Sequence, residues 1–316
     1  MANSFIKATK VVNTALGVLM RETVLAQLVW RDAVGDFAGA KDDTITIRVP
    51  AYMTARTRQL RSAGPITIDE LAETSVDVKL DTDVYKGVKV TDENMTLDIS
   101  DFGVQVMNPI LRAIVEGIDD EIADEISAAD FALTENFSKT KPLSSVLSCR
   151  RKLNDARVPK RDRVLAVGSE LEQYILEDLA RRNIAGPGAS QDALTDATLA
   201  LNYGGFRVVQ VDSFAPDEGF AFHRTAFPLV SRAPAVPDGV AWGAVASAEG
   251  FAIRTIKDYD PSNLTDRCIG NCWIGTGVVK DDGDLNDDGQ FIPEDGSGSG
   301  SPILVRAVKL AIPGGS

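Results

Sequence analysis

A chain of 316 residues and 33.8 kDa, 44% hydrophobic and 25% charged, has an ordinary globular composition, with length for one large domain or two modest ones. Its 33 Lys+Arg stand against 46 Asp+Glu, a net charge of −13, which argues against a dedicated DNA reader with a basic face. One His and three Cys leave only His223 for a Ser-His-Asp triad. A single zinc site would take almost every Cys and His, and the odd Cys count suggests a reducing compartment.

The charge is uneven. Residues 1–61 hold nine basic and five acidic groups, whereas residues 281–295 hold seven acids and no base. Such parts face different surroundings.

In chain order, the start predicts no secretion signal, and no apolar run approaches the ~18 residues of a membrane span. Residues 4–34 read as a helix that Gly17 divides, with Ser4 as cap and Val12, Leu16, Leu19, Val24 and Leu28 recurring along one side. TITIRV (44–49) alternates as a strand ended by Pro50. Residues 51–73 have a basic half (Arg56, Arg58, Arg61), an acidic half (Asp69, Glu70, Glu73) and few large apolar groups. A segment with so little core of its own is functional or docked on a partner. Residues 75–84 alternate again.

Asn108 as cap and Pro109 as first residue then open a long helix over 109–130, with Ile110, Ile114, Ile118, Ile122 and Ile126 at i+4 spacing. A compact α/β part follows over 141–249: a helix at SSVLSCRRKLNDA, a strand at 163–168, a capping box at Ser169 and Glu172 opening a helix to about Arg182, and a strand at 205–214. From 250 the pattern is strands: GFAIRTIKDY, RCIGNCWIGTGVV and PILVRAVKL (302–310). The last two flank the acidic insert and predict that it tips a hairpin.

Several residues are candidate sites. In DLNDDGQFIPED, Asp284, Asn286 and Asp288 take positions 1, 3 and 5 of a calcium loop, Gly289 position 6, Gln290 position 7 through its carbonyl, and Asp295 position 12. Calcium wants six to eight oxygens and the glycine permits the turn; the alternative is a solvated acidic tip. Arg150, Arg151, Lys152, Arg157, Lys160, Arg161 and Arg163 form a basic cluster, with Asp155 and Asp162 among them and no aromatic partners. A solvated face or inter-subunit ion pairs is favoured over nucleic-acid binding. Arg56, Arg58 and Arg61 read as docking residues for an acidic neighbour, against simple solubility. Cys268 and Cys272 lack zinc-finger spacing and read as buried, His223 reads as structural, and GSELEQ reads as an ordinary βα turn rather than an anion site.

The order of parts resembles the tailed-bacteriophage major capsid protein, the Hong Kong 97-type coat fold. The likeness is carried by the N-terminal arm, the polar hairpin, FGVQVMNPILRAIVEGIDDEIADEI (102–126), RVLAVGSELEQYIL (163–176) and YDPSNLTDRCIGNCWIGTGVV (259–279), with Pro109, Ala113, Gly117, Ile118 and Asp119 marking the spine helix. The resemblance implies an α+β fold: an N-terminal arm over 1–43, an extended E-loop over 44–84, a P domain over 85–140 and 250–316 with the spine helix, and an A domain over 141–249. The 281–300 insert is not associated with the family core. It also implies a non-enzymatic coat protein of the virion capsid, assembled in the host cytoplasm. That protein would self-assemble into hexamers and pentamers around double-stranded DNA, with scaffolding and portal proteins as partners, no membrane and no required cofactor; the possible Ca2+ rests on the insert's loop spacing alone. Two other readings stay open on the residues alone. One is an α/β enzyme built on 141–249, which lacks a nucleophile elbow, Walker loop or paired-His motif; the other is a calcium-dependent binding module resting on the insert.

Overall fold

The computed structural model describes residues 23–31, 44–49, 57–60, 66, 68, 74–91, 93, 103–183, 202–240, 242–248, 250–263, 265–286, 290–293 and 301–313. Two antiparallel strands, β1 (Thr44–Val49) and β2 (Thr74–Lys79), pair from Thr44↔Lys79 to Val49↔Thr74, the ends of the expected long hairpin. The next strand, β3 (Thr82–Thr91), turns back into the body of the molecule.

Helix α1 (Asn108–Ala128) is the expected spine. Its Ile110, Ile114, Ile118, Ile122 and Ile126 are all buried, as i+4 spacing demands of one helix face. Asn108 does not cap it. A π-helical turn over Gly103–Met107 runs straight into the helix, so Asn108 is already helical and Met107 precedes it without a side-chain cap. Strand β4 (Phe131–Asn136), α2 (Pro142–Asp155), β5 (Arg163–Val167) and α3 (Ser169–Asn183) follow. The α3 start is not a capping box. Glu172 N–H donates to Gly168 O (3.0 Å), so the helical pattern begins one residue before Ser169, and Glu170 and Leu171 N–H donate to Pro216 O (3.0 and 3.3 Å).

The remaining strands are β6 (Asn202–Tyr203), β7 (Phe206–Gln210), β8 (Glu218–His223), β9 (Leu229–Arg232), β10 (Trp242–Ala248), β11 (Phe251–Asp260), β12 (Thr265–Thr276), β13 (Asp281–Leu285), β14 (Phe291–Pro293) and β15 (Pro302–Ala311). One sheet has the order β10-β11-β12-β3, with β9 also on β12. The other runs β14-β13-β15-β8-β5-β7-β6, with β4 also on β15. This α+β arrangement crosses the expected boundaries. The C-terminal strand β15 is antiparallel to β8 and parallel to β4, inside the sheet of the 141–249 part, while β9 and β10 leave that part for the other sheet. Nor do β12 and β15 form a hairpin: they lie in different sheets, and the insert makes its own hairpin, β13–β14, attached to β15 only at Asp281↔Ile303 and Asp282↔Pro302. The physical reason is burial. PILVRAVKLA is apolar on both faces, which suits a central strand covered on both sides.

The main core joins α1 to both sheets: Ile110, Ile114, Phe220, Phe222, Ile253 and Ile274 belong to one cluster. A second cluster fills the space between α2, α3 and the larger sheet, around Val146, Leu165, Ile175 and Phe206.

Candidate assembly surfaces

A helix was expected to continue through residue 34. Residues 23–31 instead form a strap with one 3-10 turn (Leu25–Gln27), laid on the subunit's own core. Leu25 and Ala26 are fully buried. Asp119, one helix residue after Ile118, explains the irregular path. Its Oδ2 accepts the Val24 N–H (2.7 Å) and its Oδ1 the Ala26 N–H (3.0 Å), so a spine carboxylate closes the turn. Asp119 is 8% exposed, and burial pushes its carboxyl above the ordinary 3.8 although the backbone N–H groups of Val24, Ala26 and Leu25 favour the charged form. Further along, Trp30 N–H donates to Phe227 O (3.0 Å), Leu229 N–H donates to Trp30 O (2.9 Å), Arg224 Nε donates to Val29 O (3.2 Å), and Arg31 lies over the Phe251 ring at 4.7 Å. The strap is therefore fastened along its length. The expected helix at 4–22 lies outside the described residues.

The described root of the E-loop-like hairpin is fastened to the body of the subunit. Its root packs Ile47 and Val78 on Val230 in a small separate cluster. Gly275 of β12 makes this approach possible: a Cβ there would sit 2.3 Å from Lys79 O. Away from the root, Leu60 is 98% exposed, Ile66 69% and Ile68 85%. Arg58 is exposed on this segment, whereas Arg56 and Arg61 lie outside the described residues.

Of the calcium-loop residues, Asp284 is exposed on β13. Asn286 and Gln290 face each other across the hairpin turn. Gln290 N–H donates to Asn286 Oδ1 (2.7 Å) and Asn286 N–H to Gln290 O (3.0 Å), so two oxygens at loop positions 3 and 7 already each hold one hydrogen bond. Asp288 and Asp295 lie outside the described residues, and among the described residues no three His, Cys, Asp or Glu side chains group as metal ligands.

The basic cluster divides. Arg163 is buried, and its guanidinium donates to Pro159 O (2.8 Å), Val158 O (2.7 Å) and Leu153 O (3.5 Å), making it a structural clamp. Lys152 pairs with Glu135 at 2.7 Å, and Arg150 donates to Gly204 O (3.3 Å). Lys160, Arg161 and Arg157 are exposed. His223 is buried, its Nδ1 accepts the Thr225 N–H (3.3 Å), and burial and then the Arg306 charge lower its pKa from the ordinary 6.5. All three Cys are buried and free; burial pushes Cys149 and Cys272 to about 12 and Cys268 to about 11, which makes them inert packing groups. Among the described residues no helix is long and apolar enough to cross a membrane. Sequence reasoning missed Asp119 as an anchor. The signal was present, since an acidic residue between Ile118 and Ile122 on an Ile-lined helix falls beside the buried face.

A family described as phage capsid protein matches residues 73–284. A chain from Mycobacterium phage Che8 has the same fold at 19% identity and a TM-score of 0.61, over 92% of this chain and 91% of that one. The head structure of Helicobacter pylori bacteriophage KHP40 matches at 12% identity and 0.61, over 99% and 93%. The mature capsid of bacteriophage PhiM1 matches at 10% identity and 0.53, over 100% and 90%. No curated protein sequence matches.

Proposed function

This chain belongs to the phage capsid protein family, and from that membership we propose that its copies assemble as hexamers and pentamers into the icosahedral shell of a tailed-phage head, around packaged double-stranded DNA. The protein is a structural capsid shell subunit of a bacteriophage. Scaffolding and portal partners, assembly in the host cytoplasm and the lack of any catalytic step belong to the proposal.

The observation that carries the assembly mechanism is the hairpin. A paired stem leads to a segment whose Leu60, Ile66 and Ile68 stand exposed on the subunit. Laid across a neighbour, they convert exposed apolar area into inter-subunit contact, at about 25 cal/mol per Å². Arg56, Arg58 and Arg61 would add ionic contacts to an acidic neighbour surface. Each contact is modest; several per subunit act as avidity, so a closed shell is far more stable than any one interface. The 284–295 loop would hold calcium through Asp284, Asn286, Asp288, Gln290 and Asp295. Asn286 Oδ1 and Gln290 O each keep a second lone pair for a cation, and calcium heat lost in Asp288→Ala is the corresponding test.

The assembly reading is tested by expressing the full chain and examining it by light scattering and negative-stain microscopy. Rings or closed particles are expected. A stable monomer that stays monomeric on concentration, alone and with scaffolding protein, refutes it.

A further inference from the structure

The larger sheet carries opposite charge at its two edges. One edge is the β14–β13 hairpin, within a 15-residue stretch holding seven acids and no base. The opposite edge, β7–β6, opens on a polar cleft of about 400 Å³. Among the described residues lining it, Lys160, Arg163, Arg207 and Arg224 supply four cations and Asp162 one carboxylate. Lys160 and Arg207 are exposed. The cleft is built rather than incidental: Arg163 is fixed by three backbone carbonyls, Arg224 is tied to Val29 of the strap, and Gln27 of the strap forms part of the wall. Burial, and then the neighbouring Arg150 charge, lower the Arg163 pKa.

We propose that the acidic hairpin of one copy seats in this basic cleft of the next, a head-to-tail ionic contact around each ring of subunits. The proposal rests on the assembly reading above. A ring of identical chains needs two different, complementary patches on separate sides of each subunit. The sheet order separates these two patches by several strands, roughly 4.8 Å apart each, too far for one chain's hairpin to fill its own cleft without leaving β15. The described lining has no aromatic side chain on which a base could stack, which favours carboxylates over nucleic acid as the occupant.

The test uses the full chain in three charge-reversed forms, assembled in EDTA at about 150 mM salt. Lys160→Glu/Arg207→Glu should lower particle yield about tenfold, and so should Asp284→Lys/Asp287→Lys. The fourfold variant restores opposite charges and should return to within about twofold of wild type. The neutral pair Lys160→Gln/Arg207→Gln, which adds no like charge, should fall between wild type and the reversed cleft. Normal yield from the reversed cleft, or a fourfold variant as poor as either double, overturns the contact while leaving assembly standing. So does a reversed cleft that assembles normally but no longer binds a labelled oligodeoxythymidylate, since that assigns the cleft to phosphate. A wild-type chain that forms no particles overturns the assembly reading itself.

Discussion

Replacing Asp119 with Ala should release the strap while leaving the body folded. In the native chain this carboxylate holds the Val24 and Ala26 N–H groups at 2.7 and 3.0 Å, the Ala26 bond buried and the Val24 bond partly so. A buried donor left without a partner costs about 1–3 kcal/mol. Two such donors set an upper range that the loss of a costly buried carboxylate partly offsets, because burial raises the Asp119 pKa despite its hydrogen bonds. The net expectation is about 3 kcal/mol against the docked strap, or roughly 100-fold faster opening, at about 1.4 kcal/mol per decade. Hydrogen exchange at neutral pH reads this directly: the Leu28 amide, which donates to Leu25 O at 2.8 Å, should exchange roughly 100-fold faster, while amides of β5 and β8 should not change. Asp119→Asn keeps one acceptor and should give an intermediate effect. pH supplies a second readout. A carboxyl whose folded pKa lies above its unfolded value contributes stability that is complete below the unfolded pKa and is lost as pH rises through the folded one. Wild type should therefore lose stability as pH rises from about 3.8 through the folded value of Asp119, and Asp119→Asn should lack that component. Unchanged Leu28 exchange in Asp119→Ala would mean that Leu25 and Ala26 burial alone docks the strap, and the argument from the carboxylate would fail.

Other consequences are checked more simply. Gly275→Val places its Cβ against Lys79 O and should loosen the hairpin root, seen as faster proteolysis between residues 50 and 73 with little change in melting temperature. Ile118→Ala removes a buried spine side chain and should cost about 2–5 kcal/mol in denaturant unfolding. The three Cys should resist a thiol reagent at pH 8 until the chain unfolds, then all react; one reacting in the native state would contradict their burial. His223, whose folded pKa is lowered, supplies stability present above its unfolded pKa near 6.5 and lost as pH falls through the folded value; His223→Asn should remove that dependence from an acid-unfolding curve.

The sequence was most legible where one local rule governed each residue. The i+4 isoleucines of α1, the alternation of β1 and β2 and the apolar run of β5 are local patterns, and the structure follows them. It was least legible where a distant partner decided the outcome. Val24 and Leu28 match a helical stripe, yet Asp119, 95 residues away from Val24, takes the Val24 and Ala26 N–H groups that such a helix would bond within itself. Phe131–Asn136 is unremarkable as a string and becomes a strand because β15 arrives beside it in parallel register. For the proposed sites, the calcium-loop pattern was readable as spacing, while the basic cleft was not, since it joins residues from 27 to 224.

The spine helix shows why an ordinary-looking helix can organise such a subunit. Its isoleucine face fills the core, and Gly117 lacks the Cβ that would come 2.9 Å from Val84, so β3 can lie close to the helix. Asp119 holds the strap within the same turn. Core, sheet and strap thus bear on one rigid element, whereas the described root of the hairpin packs in a separate small cluster on Val230 and Trp30, beside the Gly275 gap. A shell subunit benefits from this division. The rigid part sets the geometry that each neighbour meets, and a hairpin whose root cluster stands apart from the main core can adjust its angle to rings of different curvature. If so, loosening the root by Gly275→Val should leave rings intact and broaden the size distribution of closed particles, and a distribution as narrow as wild type would argue that curvature is set elsewhere in the chain.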